Sequence, residues 1–159
     1  MDNSSLQCCL GAAYRYLSYR PRSEGELRKR LVQRGFDGEV VEKTIAKLKE
    51  QNLIDDLAFA QFWKDNRLSF RPKAKRLIAR ELNGKKVAAE IVDEITRDID
   101  DEFNAYQIAC TRMHSLANLD YPHFCHRLSC YLGYRGFSYQ VIRDTLARLW
   151  REKESRWSS

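Results

Sequence analysis

One fifteen-residue segment occurs twice in this chain, near its two ends. Residues 34–48 read RGFDGEVVEKTIAKL and residues 135–149 read RGFSYQVIRDTLARL, with seven identical positions and a separation of 101 residues. Between them, Leu82 follows Leu31 by 51 residues and precedes Leu132 by 50. Recurrence at a long fixed period is typical of repeat proteins, in which each repeat is one small structural unit. The sequence therefore predicts three copies of a unit of about 50 residues, which stack because none buries a full core alone.

Apolar residues follow the period of an α-helix in every unit, and no convincing strand alternation appears. Glycine and proline are scarce, at 7 and 3 residues, which also argues against an all-β chain. We predict an all-α protein of three tandem three-helix repeats, covering residues 8–54, 55–99 and 100–151, with a flexible start (1–7) and a tail (152–159). Nine helices are predicted. The first ends before Pro21, and the other eight cover Ser23 to Gly35, Asp37 to Leu48, Asp55 to Phe70, Pro72 to Leu82, Ala88 to Arg97, and about 101–118, 123–133 and 138–151.

Several helix starts carry capping signals. Ser23 and Glu26 form a predicted capping box, in which the serine oxygen accepts the Glu26 amide and the glutamate reaches back to Ser23. Asp37 is predicted to cap the third helix, and Asp55 or Asp56 the fourth. The Asp55–Asp56 pair could instead serve a metal or acid–base site. Capping is the better interpretation, because the pair precedes an apolar helix and no further carboxylate lies at a suitable spacing.

Charge points to an anionic partner. The net charge is +6, and nine of the twenty-three residues from Lys64 to Lys86 are Lys or Arg, opposed only by Asp65 and Glu81. Such a run is commonly just a solvated helix face, but charges of one sign gain nothing from pairing along a helix. A membrane-surface helix fits poorly because its apolar face lacks aromatic anchors. The longest stretch without a formal charge is twelve residues, too short for a membrane span of about 20, so we expect a cytoplasmic protein.

Other chemistry is only weakly indicated. Cys110/His114 and His126/Cys130 are two i,i+4 pairs that could form a zinc site on facing helices, but the spacings match no standard finger, and we expect packing roles and no metal. Phosphate-loop, zinc-protease and nucleophile-elbow motifs are missing, so we expect no enzyme and no cofactor. Most aromatic residues, among them Phe59, Phe62, Trp63 and Phe70, are predicted to point inward. The helical pattern does not decide whether Tyr16, Tyr19, Tyr134 and Tyr139 point inward. Stacking on nucleic-acid bases is one use open to these four.

Two segments resemble a known family. Residues 20–36, RPRSEGELRKRLVQRGF, resemble the first-repeat motif of the RecX family, and residues 53–67, LIDDLAFAQFWKDNR, followed by IAREL at 78–82, resemble its second-repeat motif. The resemblance implies a curved, elongated monomer that binds the recombinase RecA on single-stranded DNA and inhibits its filament and ATPase. Lys86 departs from the pattern by replacing the family's usual glycine, and FRPKAKR at 70–76 by lacking a glycine before the helix. Both departures concern the shape of the second repeat.

With this resemblance, the basic residues become candidates for contacting RecA or its nucleoprotein filament. We select eight from the basic run and two from the first repeat, namely Arg67, Arg71, Lys73, Lys75, Arg76, Arg80, Lys85, Lys86, Arg22 and Arg28. Lys73, Arg76 and Arg80 are expected on one face of the fifth helix. The main alternative is a direct nucleic-acid binder with helix-turn-helix-like units. Weak binding to single-stranded or duplex DNA would be compatible with either.

Overall fold

The structure, a computed structural model, describes residues 3–70 and 72–157. Within these ranges every regular element is an α-helix, and none of these helices combines the length and the apolar character needed to cross a bilayer. The ten helices are α1 (Asn3–Tyr19), α2 (Glu24–Gln33), α3 (Gly38–Glu50), α4 (Asp56–Phe70), α5 (Lys75–Gly84), α6 (Ala89–Thr96), α7 (Asp101–Cys110), α8 (Met113–Leu116), α9 (Tyr121–Tyr134) and α10 (Tyr139–Trp157).

The chain divides into two compact units. The first unit comprises Met1–Asp65 with Ala79–Arg97, and the second unit comprises Asn66–Ile78 with Asp98–Ser159. The division falls within α4 and α5, so each of these helices contributes residues to both units.

The first unit is built around the packing of α1, α2 and α3. Leu27 and Leu31 of α2 lie four residues apart and are fully buried, as are Val41 and Leu48 of α3 and Cys9 of α1. Full burial of such a side chain stabilises a fold by about 1.5–3 kcal/mol relative to exposure. The helical apolar period of the sequence is thus the direct cause of this three-helix core.

The second unit has the corresponding arrangement of α7, α9 and α10. Phe124, Leu128 and Leu132 form the inner face of α9, and Leu149 of α10 packs in the same cluster. Phe124 also contacts Trp150, with ring centroids 5.2 Å apart. Leu132 is fully buried, and so are Leu31 and Leu82, as expected for leucines at corresponding places in the three repeats.

The turns after the middle helices are equivalent as well. Gly35, Lys86 and Gly136 all adopt the left-handed conformation, with φ of 96°, 63° and 89°. In each turn the following residue, Phe36, Val87 or Phe137, donates its amide to the carbonyl of Leu31, Leu82 or Leu132. These helix-ending turns match the Schellman pattern. Lys86 therefore leaves the turn itself unchanged, although glycine is the residue that favours positive φ.

Three predicted helix bounds were wrong. α5 begins at Lys75 rather than Pro72; the preceding Ala74 donates its amide to the Arg135 carbonyl at 2.9 Å and accepts the Ile78 amide with its own carbonyl. The predicted helix 101–118 is broken into α7 and α8. α10 continues six residues past 151 to Trp157, supported by side-chain pairs four residues apart, such as Arg148–Glu152 and Trp150–Glu154.

Three further local predictions were wrong in part. Phe59 is buried, but Phe62 is exposed and Phe70 retains 83% of its accessible surface, so the inward stripe of α4 stops well before the helix does. Ser23 accepts the Glu26 amide at 3.1 Å as predicted, whereas the Glu26 carboxylate turns away from Ser23 toward basic side chains. Asp37 occupies the N-cap position of α3 without a side-chain capping bond.

Candidate functional site

The start of α2 lies against the turn that ends α5, within the first unit. Ser23 Oγ donates to the Lys85 carbonyl at 2.5 Å. A Cβ placed on Gly25 would lie 2.4 Å from the Cβ of Lys86, a distance that real side chains do not tolerate. Gly25 therefore provides the space that the Lys86 side chain fills.

The second unit contains the equivalent junction, but here the glycine lies in the turn and the large side chain lies at the start of the helix. The Ala74 amide donates to the Arg135 carbonyl at 2.9 Å, and Arg76 Nε donates to the Gly136 carbonyl at 2.6 Å. A Cβ on Gly136 would lie 2.4 Å from Cγ of Leu77. The large residue thus belongs to the turn in the first junction and to the helix start in the second. This exchange explains how the second repeat accommodates Lys86.

Two aspartate pairs reinforce these helix starts. Asp55 caps its own helix by accepting the Leu57 amide at 3.0 Å, while the neighbouring Asp56 accepts the Glu24 amide at the start of α2, at 2.8 Å. A capping role for this pair is confirmed, with Asp56 acting on a different helix from its own. Burial raises the pKa of Asp56 above its usual value, although the Glu24 amide partly offsets this.

The second pair, Asp100 and Asp101, makes the same two kinds of hydrogen bond. Asp100 accepts the Phe103 amide of its own helix at 3.0 Å, and Asp101 accepts the Lys75 amide at the start of α5, at 2.9 Å. In both pairs the first aspartate stabilises the helix that follows it and the second stabilises the middle helix of the preceding repeat. Cross-capping of this kind ties consecutive repeats together through backbone amides.

Glu26 is the centre of a charged cluster in the first unit. Its carboxylate pairs with Arg20, and lies 3.2 Å from both Arg22 NH1 and Lys85 Nζ. Burial would raise the pKa of Glu26, but hydrogen bonds from Arg20 and Lys85, with their positive charges, outweigh it and hold the pKa below its usual value. Arg22 also donates to the Tyr16 carbonyl at 3.1 Å and has a side chain only 10% exposed. Arg22 is therefore mainly a structural group.

A basic groove lies on the first unit beside α2 and the end of α5. It encloses about 860 Å³ and combines Lys29, Arg30 and Lys86, all exposed, with two cations held in ion pairs, Arg28 and Lys85. We call this the first-unit groove. Arg28 Nε lies 2.6 Å from Glu42 Oε1, which raises the pKa of the Arg28 guanidinium. The groove therefore gathers three of the predicted residues and adds Lys29 and Arg30.

A second basic surface lies wholly within the second unit. Its cavity of about 420 Å³ is lined by the cations Arg67, Lys73 and Arg135 together with the exposed rings of Phe70 and Tyr134. We call it the second-unit cleft. Among the described residues that line it, none is acidic.

Apart from Arg71, the remaining predicted residues line neither of these two surfaces. Lys75 and Arg76 are exposed in the second unit, with Arg76 engaged at Gly136. Arg80 is exposed on the part of α5 that belongs to the first unit. Arg71 falls outside the described residues. Arg135 was not predicted from the sequence because the basic run ends forty-nine residues earlier, although Arg135 occupies the place of Arg34 in the repeated segment.

The cysteine and histidine pairs do not come together. Cys130 Sγ lies 3.9 Å from His126 Nε2 beside a pocket shared with Tyr131, whereas Cys110 and His114 line a different pocket. Across residues 3–70 and 72–157, no group of three or more His, Cys, Asp or Glu side chains is placed to hold a metal ion. The four-ligand arrangement considered from the sequence is therefore not formed.

Comparison with known proteins agrees with this architecture. The family model described as "RecX, first three-helix domain" matches residues 9–48, and the model for the second three-helix domain matches residues 55–95. The crystal structure of RecX from Lactobacillus salivarius superposes with a TM-score of 0.77 at 21% identity, covering 92% of this chain and 97% of that one. A second RecX crystal structure gives a TM-score of 0.71 at 24% identity over 88% of this chain and 72% of its own. These two structures support the fold.

Similarity in sequence extends over nearly the full length. "Regulatory protein RecX" of Prosthecochloris aestuarii is 34% identical over 149 residues, covering 94% of this chain and 98% of the relative. The protein of the same name from Chlorobaculum tepidum is 30% identical, with 98% and 97% covered. The "Regulatory protein RecX" of Streptomyces coelicolor is 31% identical, covering 83% of this chain and 74% of the relative. On these matches and on its repeated three-helix architecture, the chain belongs to the RecX family of regulatory proteins.

Proposed function

We propose that this protein regulates homologous recombination and DNA repair by binding RecA and its filament on single-stranded DNA. Bound there, it inhibits filament growth, ATP hydrolysis and strand exchange. The observation that carries the proposal is the similarity to proteins named regulatory protein RecX over 94% of the chain. The protein acts as a cytoplasmic monomer, without catalysis of its own and without a cofactor.

The electrostatics of the molecule support an anionic partner. The chain has a net charge of +6, and the first-unit groove presents Lys29, Arg30 and Lys86 to solvent. A RecA–DNA filament offers phosphates and acidic side chains, and complementary charge speeds encounter and orients the partners. We expect a broad polar interface with arginine anchors rather than a deep pocket.

The decisive experiment measures RecA ATP hydrolysis on single-stranded DNA while this protein is titrated in. We expect the rate to fall, and we expect the charge-reversed variant Lys29→Glu/Arg30→Glu/Lys86→Glu to need a much higher concentration for the same inhibition. Exposed residues tolerate such changes with about ±0.5 kcal/mol each in stability. Arg76 is not a suitable target, because its bond to the Gly136 carbonyl belongs to the fold.

The matched control is Arg15→Glu/Lys47→Glu/Arg97→Glu, three exposed residues of the same unit away from the groove. Both triple variants lower the formal net charge from +6 to zero, so a difference between them reports position rather than total charge. Unchanged RecA activity at equimolar protein, together with tight binding to naked duplex DNA, would reject the proposal in favour of a direct helix-turn-helix-like DNA binder.

A further inference from the structure

We propose that the second-unit cleft binds an unpaired nucleic-acid strand directly, with bases stacked on Phe70 and Tyr134 and phosphates paired with Arg67, Lys73 and Arg135. This binding needs no RecA and is therefore independent of the regulatory role proposed above. It assigns a ligand class to one surface of the chain.

The two aromatic rings are exposed far beyond what packing requires. Phe70 retains 83% and Tyr134 91% of the accessible surface of the residue, although both line the same cavity. They are the last residues of α4 and α9, so each ring is presented from the end of a helix. Grouped exposed aromatic side chains commonly mark a binding surface, since their burial against a partner is strongly favourable.

The surrounding charge selects an anionic ligand. Three cations, Arg67, Lys73 and Arg135, line the cavity, and Asn66 adds an amide at its edge. Its volume of about 420 Å³ falls within the range of about 300–1,000 Å³ that is common for small-molecule sites. The cleft therefore combines space, positive charge and flat apolar surface.

A comparison between repeats shows why this cleft differs from its counterpart. Residues 19–22 read YRPR and residues 70–73 read FRPK, 51 positions apart, so the same loop precedes both middle helices. In the first unit Glu26 pairs with both Arg20 and Arg22 of that loop. The residue 51 positions after Glu26 is Leu77, which lines the second-unit cleft. The second repeat therefore has an apolar side chain, not a carboxylate, at this position.

An unpaired nucleic-acid strand matches both the exposed aromatic rings and the cations of the cleft. Every base offers a π-face, and stacking on an aromatic side chain contributes about 1–3 kcal/mol per base, while a basic groove follows the phosphates. In a duplex the base faces are already stacked on each other. An acidic peptide would satisfy the cations but offer no matching faces to the two rings.

The test uses the full chain without RecA and a dye-labelled thymidine oligonucleotide of about 15 nucleotides, a length near the upper end of single-strand site sizes. Fluorescence anisotropy gives the Kd. We expect Phe70→Ala/Tyr134→Ala to raise the Kd at least about tenfold, because 1.4 kcal/mol corresponds to a factor of ten. All charges are kept in this variant, so binding by charge alone would survive it. The conservative Phe70→Tyr/Tyr134→Phe should bind like the unmodified protein.

The matched control is Tyr19→Ala/Tyr139→Ala, which removes two exposed rings, at 76% and 78%, that do not line the cleft. This control should leave the Kd unchanged, and a duplex of the same length should bind equally to all variants. Lys73→Gln should reduce the slope of log affinity against log salt by about 0.7.

The proposal is overturned if the unmodified protein prefers the duplex or does not bind the strand. It is equally overturned if Phe70→Ala/Tyr134→Ala, shown to be folded by circular dichroism, binds the strand as tightly as the unmodified protein. Neither result bears on RecA inhibition, which is measured separately.

Discussion

Lys86 holds a backbone conformation that glycine holds at the equivalent positions of the other two repeats. Its φ of 63° costs a residue with a Cβ about 1–2 kcal/mol. The turn nevertheless forms, with the Lys86 amide donating to Asn83 and the Val87 amide to Leu82. Gly25 prevents a further steric cost, because it leaves room for the lysine side chain.

The Gly25–Lys86 contact predicts a strongly coupled pair. Lys86→Gly should raise the free energy of unfolding by about 1 kcal/mol by removing the strain. Gly25→Ala should lower it by about 1–3 kcal/mol, because the new methyl group meets Lys86 Cβ at 2.4 Å. In the Lys86→Gly background the same alanine should be tolerated, since the next contact, the Lys85 carbonyl, lies 3.4 Å away.

Urea unfolding of the four proteins completes a double-mutant cycle. Additive effects of the two substitutions would show that Gly25 and Lys86 do not share one volume. The Gly35→Ala variant is a useful comparison, because that glycine has positive φ but no neighbour within 4 Å. It should lose stability through the backbone alone.

At the scale of the helices, the cross-capping aspartates are the feature most open to test. Asp56→Ala leaves the Glu24 amide of α2 without its acceptor and should cost about 0.5–2 kcal/mol. Asp56→Asn keeps a carbonyl oxygen for that amide and avoids burying a charge, so it should retain most of the stability. Thermal unfolding followed by circular dichroism distinguishes the two. Equal losses for both variants would mean that the charge of Asp56, not its hydrogen bond, supports α2.

The sequence predicted the helices well where local signals decide them. Leu27 and Leu31 gave the buried face of α2, and Ser23 gave its cap, because both depend on residues within one or two turns. The start of α5 and the position of Phe70 could not be predicted in this way. Ala74 is held by the Arg135 carbonyl, sixty-one residues later, and a distant partner of this kind leaves no local pattern.

The positive charge of the candidate site was predictable from the sequence, but the arrangement of its residues was not. The basic residues indicated an anionic partner, yet several of the predicted contact residues are occupied with the fold or held in ion pairs. Among them are Arg22 with Tyr16 and Glu26, Arg28 with Glu24 and Glu42, Lys85 with Glu26, and Arg76 with Gly136. Charge is a property of composition, whereas availability depends on the carboxylate or carbonyl that happens to lie next to each cation.

For the molecule as a whole, the partly buried carboxylates predict how stability responds to acid. Burial acts to raise the pKa of Glu24 and of Glu26, but their basic partners leave both below the usual value. Such groups contribute stability that is present above their unfolded pKa of about 4.3 and is lost as the pH falls through the folded values. Asp56 has a raised pKa and acts in the opposite direction. We expect the two glutamates to prevail, so that stability decreases below about pH 4.

Urea unfolding at a series of pH values from neutral to acidic measures this decrease. Glu26→Gln should already be less stable at neutral pH, by about 3 kcal/mol, because it leaves Arg20, Arg22 and Lys85 around an uncharged group. Its stability should then fall less steeply in acid. An acid profile identical to that of the unmodified protein would assign the effect to other carboxylates.

The shared volume of Gly25 and Lys86 also constrains how this chain can change over generations. As far as folding is concerned, a mutation from Lys86 to glycine is acceptable at any time, because it vacates space and relieves the positive φ. A side chain can enter position 25 only afterwards, and once it is there the return of lysine at 86 is blocked. The order of the two substitutions is therefore fixed, and lineages descending from such a change carry a record of which step came first.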